Sequence, residues 1–85
     1  MTNEEIKEFF KSNKKVKGTL TTGEVVTIAS ELPSIELKID RESQEYYYSI
    51  PVSDLKKIKN ERFLNDLRTL GFYLSDDNNF LILNI

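Results

Sequence analysis

The side chains of this sequence best suited to catalysis are its carboxylates and one serine–lysine pair. Six carboxylates lie between Glu24 and Glu45, and two of them close together would suffice for acid–base catalysis or for a hard cation. They follow no calcium-loop pattern, and their spacing is typical of solvated strand faces and turns. Ser53 and Lys56 have the spacing of a serine–lysine acyl enzyme, but such enzymes build a much larger domain around the serine. We therefore predict no catalytic residue.

The residue types that most enzymes depend on are missing. The 85 residues include no histidine and no cysteine, which excludes imidazole-based acid–base chemistry, thiolate nucleophiles and cysteine-ligated metals. The three glycines, Gly18, Gly23 and Gly71, match no phosphate-binding loop. We expect no metal, no cofactor and no enzymatic activity.

The composition is that of one small globular domain spanning residues 1–85. Net charge is -2 and 39% of the residues are hydrophobic, which excludes a disordered chain and a strongly basic nucleic-acid binder. The longest apolar run, near Phe80–Leu83, is too short to cross a membrane, and Met1–Phe10 does not resemble a secretory signal. We expect a cytoplasmic protein without a membrane partner. Ala29 is the only alanine, which is typical of an AT-rich bacterial or phage gene.

Two segments have the start and stop signals of helices. Residues 2–12 begin with Thr2 and Glu5 at the spacing of a capping box. A second helix is predicted from Asn60, a capping residue, to Gly71, which suits the left-handed position after a helix.

The region between these helices alternates apolar and polar residues, which predicts strands. We expect an antiparallel meander of four strands, at Val16–Leu20, Glu24–Ser30, Ile35–Ile39 and Tyr46–Ile50. Residues 21–23 are predicted to form the first turn, with Gly23 at a positive φ. After Pro51, Ser53 is expected to cap a single helical turn.

The last segment, Phe72–Ile85, is predicted to be a β-hairpin with a loop at residues 76–79. Its final strand, Phe80–Ile85, is apolar on both faces, so it should be interior to the fold or paired with a second copy in a homodimer. Strands and helices that are segregated along the chain predict an α+β fold: an N-terminal helix, a four-stranded antiparallel meander, a second helix and a C-terminal hairpin.

Two segments carry a resemblance to a known class of fold. They are Lys17-Gly18-Thr19-Leu20-Thr21-Thr22-Gly23-Glu24 and Tyr48-Ser49-Ile50-Pro51-Val52-Ser53-Asp54-Leu55-Lys56-Lys57-Ile58. In this pattern the stretch 16–58 resembles a small SH3-like or Sm-like barrel. The resemblance implies a barrel scaffold, but the RNA-contacting motifs of the Sm class are absent and no site residue carries over.

Two interaction surfaces compete as the functional site. The first is a protein-binding surface built from an aromatic residue and nearby carboxylates, which are Tyr47, Glu36, Glu42 and Glu45. A protein using it would be a small inhibitor or regulator from a phage or mobile element, of the anti-CRISPR or antirepressor kind. The alternative is an RNA- or single-stranded-DNA-binding patch formed by two basic clusters, which comprise Lys14, Lys15, Lys17, Lys56, Lys57, Lys59 and Arg62.

Overall fold

The computed structural model describes residues 2–14 and 18–85, which form an α+β fold with a four-stranded antiparallel sheet, as predicted. The elements in chain order are α1 (Asn3–Phe10), α2 (Thr22–Glu31), β1 (Glu36–Ile39), β2 (Tyr46–Pro51), α3 (Val52–Leu55), α4 (Glu61–Leu70), β3 (Tyr73–Leu74) and β4 (Phe80–Asn84).

The sheet has the strand order β1-β2-β4-β3, so the C-terminal strand lies inside it. β4 pairs with β2 along its whole length, from Pro51↔Phe80 to Tyr47↔Asn84, and with β3 at Leu81 and Ile82. The interior position predicted for Phe80–Ile85 is therefore correct. β2 occupies one edge of β4, and β3 pairs with the other edge at Leu81 and Ile82. A homodimer formed through Phe80–Ile85 stays a prediction.

The hydrophobic core lies between one face of the sheet and the helices. Strand alternation turns Tyr48 and Ile50 of β2 towards the same side as Leu81 and Leu83 of β4. The helices and their connections cover that side with Ile6, Phe10, Ile28, Leu32, Val52, Leu55, Ile58, Leu64, Leu67 and Phe72. This two-layer arrangement leaves the other face of the sheet to form a surface.

The helix ends confirm most of the predicted signals. Thr2 and Glu5 form the expected capping box of α1, and α4 runs from the Asn60 cap to Gly71, whose φ is 108°. α3 is the predicted helical turn, but its N-cap is Pro51 and Ser53 lies inside it, so the prediction that Ser53 caps it is wrong.

The strand predicted at Glu24–Ser30 is wrong, because these residues belong to α2. Thr21 caps α2 through a second capping box with Glu24, so residues 21–23 do not form a hairpin turn and Gly23 lies in the first helical turn without a positive φ. The β-branched residues of this segment favoured a strand, but the Thr-x-x-Glu signal and the burial of Ile28 decide for a helix.

The four-stranded meander and the barrel implied by the resemblance are also wrong. Val16 and Lys17 lie outside the described residues, and Gly18–Leu20 form no strand, although the Gly18 N–H donates to the Asn84 carbonyl oxygen at 2.7 Å. Within the described residues, only the last two meander strands are present, as β1 and β2. The C-terminal hairpin completes an open sheet with β1 and β3 at its edges.

Candidate functional site

The face of the sheet opposite the core carries a group of large side chains that we call the open face. Its members come from all four strands and are Lys38, Tyr47, Tyr73, Phe80 and Ile82. Among the described residues, those that line the two grooves on this side come from the strands and the turns between them. The open face is therefore a sheet surface with aromatic and apolar side chains available to a partner.

Tyr47 and Ile82 lie at the centre of the open face. Tyr47 is half-buried on β2, and Ile82 lies on the neighbouring strand opposite Ser49. Both side chains line two shallow grooves, of about 360 Å³ towards the β3–β4 turn and about 530 Å³ towards the β1–β2 turn. The two residues therefore form a ridge between two depressions into which side chains of a partner could fit.

Lys38 lies over one of these grooves. Its ammonium group is 5.3 Å from the centre of the Phe80 ring and 3.7 Å from a carboxylate oxygen of Glu36. The stem of Lys38 and the Phe80 ring both flank Ser49, which explains why this small polar residue is buried on a strand face. The cation–π contact and the ion pair hold Lys38 flat on the sheet.

Tyr73 is positioned by a hydrogen bond across the other edge of the open face. The Asn84 Nδ2 donates to the Tyr73 Oη at 2.6 Å, and Asn84 itself is buried beside Tyr47 in the β2–β4 ladder. Because its hydroxyl has this partner, the Tyr73 ring is fixed before any ligand binds. Fixed aromatic rings lower the entropy cost of association.

The rim of the open face is acidic. Asp76 and Asp77 line the first groove, Asp40 lines the second, and Glu36 precedes Lys38 by two residues on β1 with its side chain on the same side. The basic groups beside these four carboxylates are Lys38 and Arg41. The surface therefore combines an aromatic centre with a net negative rim, a combination that favours a partner with basic groups and disfavours phosphates.

The predicted protein-binding residues lie on β1 and β2 or in the turn between them. Glu36 and Tyr47 lie on the open face of adjacent strands, two residues apart in the β1–β2 register. Glu45 directly precedes β2, and its carbonyl oxygen accepts the Asp40 N–H at 2.8 Å; Glu42 is exposed in the turn between them. Glu36 begins β1, at the other end of that strand from Glu42 and Glu45. The role of all four residues in binding stays a prediction.

The predicted nucleic-acid-binding residues are not brought together in the same way. Lys56, Lys57, Lys59 and Arg62 are exposed around the connection from α3 to α4, and Lys57 forms an ion pair with Asp54 at 3.7 Å. Lys15 and Lys17 lie outside the described residues. Lys14 follows Asn13, whose side chain bonds to the carbonyl oxygens at the far end of α4. Arg62 lies in the first turn of α4, and the Arg68 carbonyl oxygen that Asn13 contacts is six residues further along, about 9 Å along the helix axis.

A third candidate is the groove between α2 and α4, of about 570 Å³. Ile28, Phe63 and Leu67 contribute its apolar lining, and the carboxylates of Glu24 and Asp66 lie at its margin. The Glu24 carboxylate already accepts the Thr21 N–H at 3.0 Å, so this group stabilises the start of α2. Ile28 is the one residue of α2 that is buried in the core, so α2 packs loosely. The groove follows from this loose packing.

The part of the chain that the structure describes contains neither a cluster of metal-binding side chains nor a membrane-spanning helix. Within it, no three carboxylates lie close enough together to hold a metal ion. Among the same residues, no helix combines the length and the apolarity needed to span a bilayer.

Four members of the open face were missed by the sequence reasoning, namely Lys38, Tyr73, Phe80 and Ile82. The double apolar pattern of Phe80–Leu83 contained the signal, since Leu81 and Leu83 face the core while Phe80 and Ile82 face the other side. Comparison of the chain with protein-family models, curated proteins and solved structures finds no match.

Proposed function

We propose that the protein is a non-enzymatic interaction module that binds another protein through the open face. The observation that carries this proposal is the Tyr47–Ile82 ridge, half-buried between two grooves and surrounded by carboxylates. Aromatic residues at the centre of a patch with a polar rim are the usual anatomy of a protein interface.

The partner surface should carry basic groups at its margin and large apolar or aromatic side chains at its centre. The acidic rim would steer such a surface towards the open face, and Tyr47 and Tyr73 would supply rigid contact area. Glu42 and Glu45 extend the negative region beyond the sheet at the β1–β2 turn. They would add to the rate of association more than to the affinity.

A domain of 85 residues without histidine or cysteine would act by occupying its partner's surface. We therefore assign it the role of an inhibitor or regulator, such as those that phages and mobile elements use against defence systems or repressors. This assignment rests on size, composition and the open face.

The experiment is affinity capture from bacterial lysates with three baits: the wild type, Tyr47→Ala and Tyr46→Ala. Tyr46 is the matched control, since it is the same residue type one position away and faces the helix side of the sheet. We expect a nuclease-resistant protein partner on the wild type and on Tyr46→Ala. Loss of Tyr47 should weaken the complex by roughly tenfold or more, as for an interface hot spot.

Two outcomes of this capture would contradict the proposal. One is that no protein is retained at low salt from any of several candidate hosts. The other is that Tyr46→Ala abolishes binding while Tyr47→Ala does not.

A nucleic-acid function is the second candidate, and the exposure of Lys56, Lys59 and Arg62 within one short stretch is the observation in its favour. Binding through them would be strongly salt-dependent. Fluorescence anisotropy with mixed single-stranded oligonucleotides tests it, with Lys59→Glu as the disruptive variant and Glu36→Gln as the control. A flat titration of the wild type would eliminate this function.

A further inference from the structure

The strand β1 forms an edge of the sheet, and its outward backbone groups belong to Leu37 and Ile39. The Asp40 N–H donates to Glu45 across the ladder, so Asp40, and by alternation Lys38 and Glu36, direct their backbone groups towards β2. The N–H and C=O groups of Leu37 and Ile39 therefore point away from the sheet. Within the described residues, no hydrogen bond to these outward groups is present.

The sequence of this edge is complementary to itself. Around Leu37 the order is Ile35-Glu36-Leu37-Lys38-Ile39, with an apolar residue at each end and opposite charges on either side of the centre. If two such strands pair antiparallel about a two-fold axis at Leu37, each Glu36 faces Lys38 of the other copy. Leu37 then faces its own copy, and their outward backbone groups form a hydrogen-bonded pair.

An apolar patch adjoins this edge on the helix side of the sheet. Leu37 and Ile39 are 54% and 44% exposed, and Tyr46, opposite Ile39 in the register, is 51% exposed. Ile85 continues the row, since its N–H donates to the Tyr46 carbonyl oxygen at 3.2 Å. An edge strand with exposed apolar side chains is a site for pairing with another chain.

We propose that the protein forms a homodimer in which two β1 strands pair antiparallel about Leu37, making one eight-stranded sheet. The occupant is a second copy because the charges, the outward backbone groups and the apolar residues of this edge all match under one two-fold axis. In the dimer the two open faces lie on the same side of the joined sheet. The inference does not rest on the proposed function.

The first test uses charge reversal and sedimentation equilibrium. Glu36→Lys places two lysines opposite each other, and Lys38→Glu places two carboxylates opposite each other, at both symmetric positions of the pairing. We expect each single variant to weaken the dimer about tenfold or more, and the double variant to restore it to within about threefold. Lys38 and Glu36 also form an ion pair within one copy, so charge reversal changes the stability of the monomer as well. The oligomeric mass is therefore the quantity to measure, because it reports the dimer alone.

The second test uses disulfide formation. The chain has no cysteine of its own, so an introduced cysteine can form a disulfide only with its copy. In a hydrogen-bonded antiparallel pair the two Cα atoms are about 5.5 Å apart, within the range of a disulfide. Leu37→Cys should therefore oxidise rapidly to a covalent dimer. Ile39→Cys should not, since four residue steps, about 13 Å, would separate residue 39 from its copy. Val26→Cys, at a position 62% exposed on α2, measures chance collisions.

Three results would overturn the proposal. The wild type could be monomeric at about 1 mM, where even a weak dimer is half formed. The single charge reversals could leave a dimer unchanged, or Leu37→Cys could oxidise no faster than Val26→Cys. If a charge variant fails to fold by circular dichroism, the cysteine variants decide, because they change single exposed residues.

Discussion

Thr21 and Glu24 hold each other in a reciprocal pair at the start of α2. The Glu24 N–H donates to Thr21 Oγ1 at 3.1 Å, and the Thr21 N–H donates to Glu24 Oε1 at 3.0 Å. Both donors would otherwise lack a helical partner. This pair turns a segment rich in β-branched residues into a helix that covers part of the core through Ile28.

Removing the Thr21 hydroxyl should therefore destabilise the protein. Thr21→Ala is expected to lower the free energy of unfolding by about 1 kcal/mol, the usual cost of losing an N-cap. Urea unfolding followed by circular dichroism measures it. Thr22→Ala, one residue into the helix and exposed, is the control and should change the free energy by less than about 0.5 kcal/mol. An equal loss of free energy of unfolding in Thr21→Ala and Thr22→Ala would show that the N-cap does not stabilise α2.

The two glycines near α2 should respond to alanine with opposite signs. A Cβ at Gly18 would lie 3.0 Å from Leu83 Cδ1, and Leu83 is fully buried, so Gly18→Ala should cost about 1–3 kcal/mol. A Cβ at Gly23 would lie 3.9 Å from Thr21 Oγ1, so Gly23→Ala should add about 0.5–1 kcal/mol by restricting the unfolded chain. Thermal and urea unfolding of the Gly18→Ala and Gly23→Ala variants measure the two changes in the free energy of unfolding. A stabilising Gly18→Ala would contradict the close packing of Gly18 on β4.

Asn13 ties the segment after α1 to the end of α4. Its Nδ2 donates to the Arg68 carbonyl oxygen at 2.9 Å and to the Phe72 carbonyl oxygen at 2.7 Å. Asn13→Ala should cost about 1–3 kcal/mol for the two bonds, and Asn13→Asp more, since a carboxylate would face two carbonyl oxygens. Lys14→Ala is the exposed control. Equal free energies of unfolding for Asn13→Ala and the wild type would exclude this tie.

The turn between β3 and β4 should make stability fall in acid. The Ser75 hydroxyl donates to Asp77 Oδ1 at 2.6 Å and the Asn79 N–H donates to it at 3.0 Å, which together lower the pKa of Asp77 below its ordinary value of 3.8. A lowered pKa stabilises the fold above that ordinary value, and the contribution is lost as the pH falls through the folded-state pKa.

Ser75→Ala removes the larger cause, so the pKa of Asp77 should rise towards 3.8. An NMR titration of the side-chain carboxyl carbon reads this directly, with the exposed Ser53→Ala as the control. An unchanged pKa in Ser75→Ala would show that the hydroxyl does not bond to the carboxylate.

Much of the fold was predictable because its signals are local. The caps at Thr2 and Asn60 and the glycine after α4 mark helix ends by hydrogen bonding within a few residues, and the structure confirms them. The alternation around Tyr46–Ile50 likewise predicted a strand correctly. The strand predicted at Glu24–Ser30 is wrong because the capping box of Thr21 and Glu24 outweighs the strand preference of the β-branched residues that follow.

The candidate site was predictable only in part, because it depends on which strands become neighbours. The alternation of side chains along a strand is enough to predict that Tyr47 lies on the opposite face from Tyr46 and Tyr48. It cannot place Ile82 beside Tyr47, since the insertion of β4 between β2 and β3 joins residues far apart in sequence. The sequence showed that Phe80–Ile85 is apolar on both faces, but only the strand order reveals that Phe80 and Ile82 lie on the same face as Tyr47.

The most direct test of protein binding by the open face is site-specific photo-crosslinking. A benzophenone amino acid replaces Tyr47 in one bait and Tyr46 in the other, two adjacent positions on opposite sides of the same strand. Irradiation in a host lysate should give a nuclease-resistant adduct to a host protein from position 47 and much less from position 46, where an adduct to a second copy of the chain is counted separately. Adducts only to nucleic acid, or equal host-protein adducts from both positions, would contradict the assignment of the open face as the binding surface.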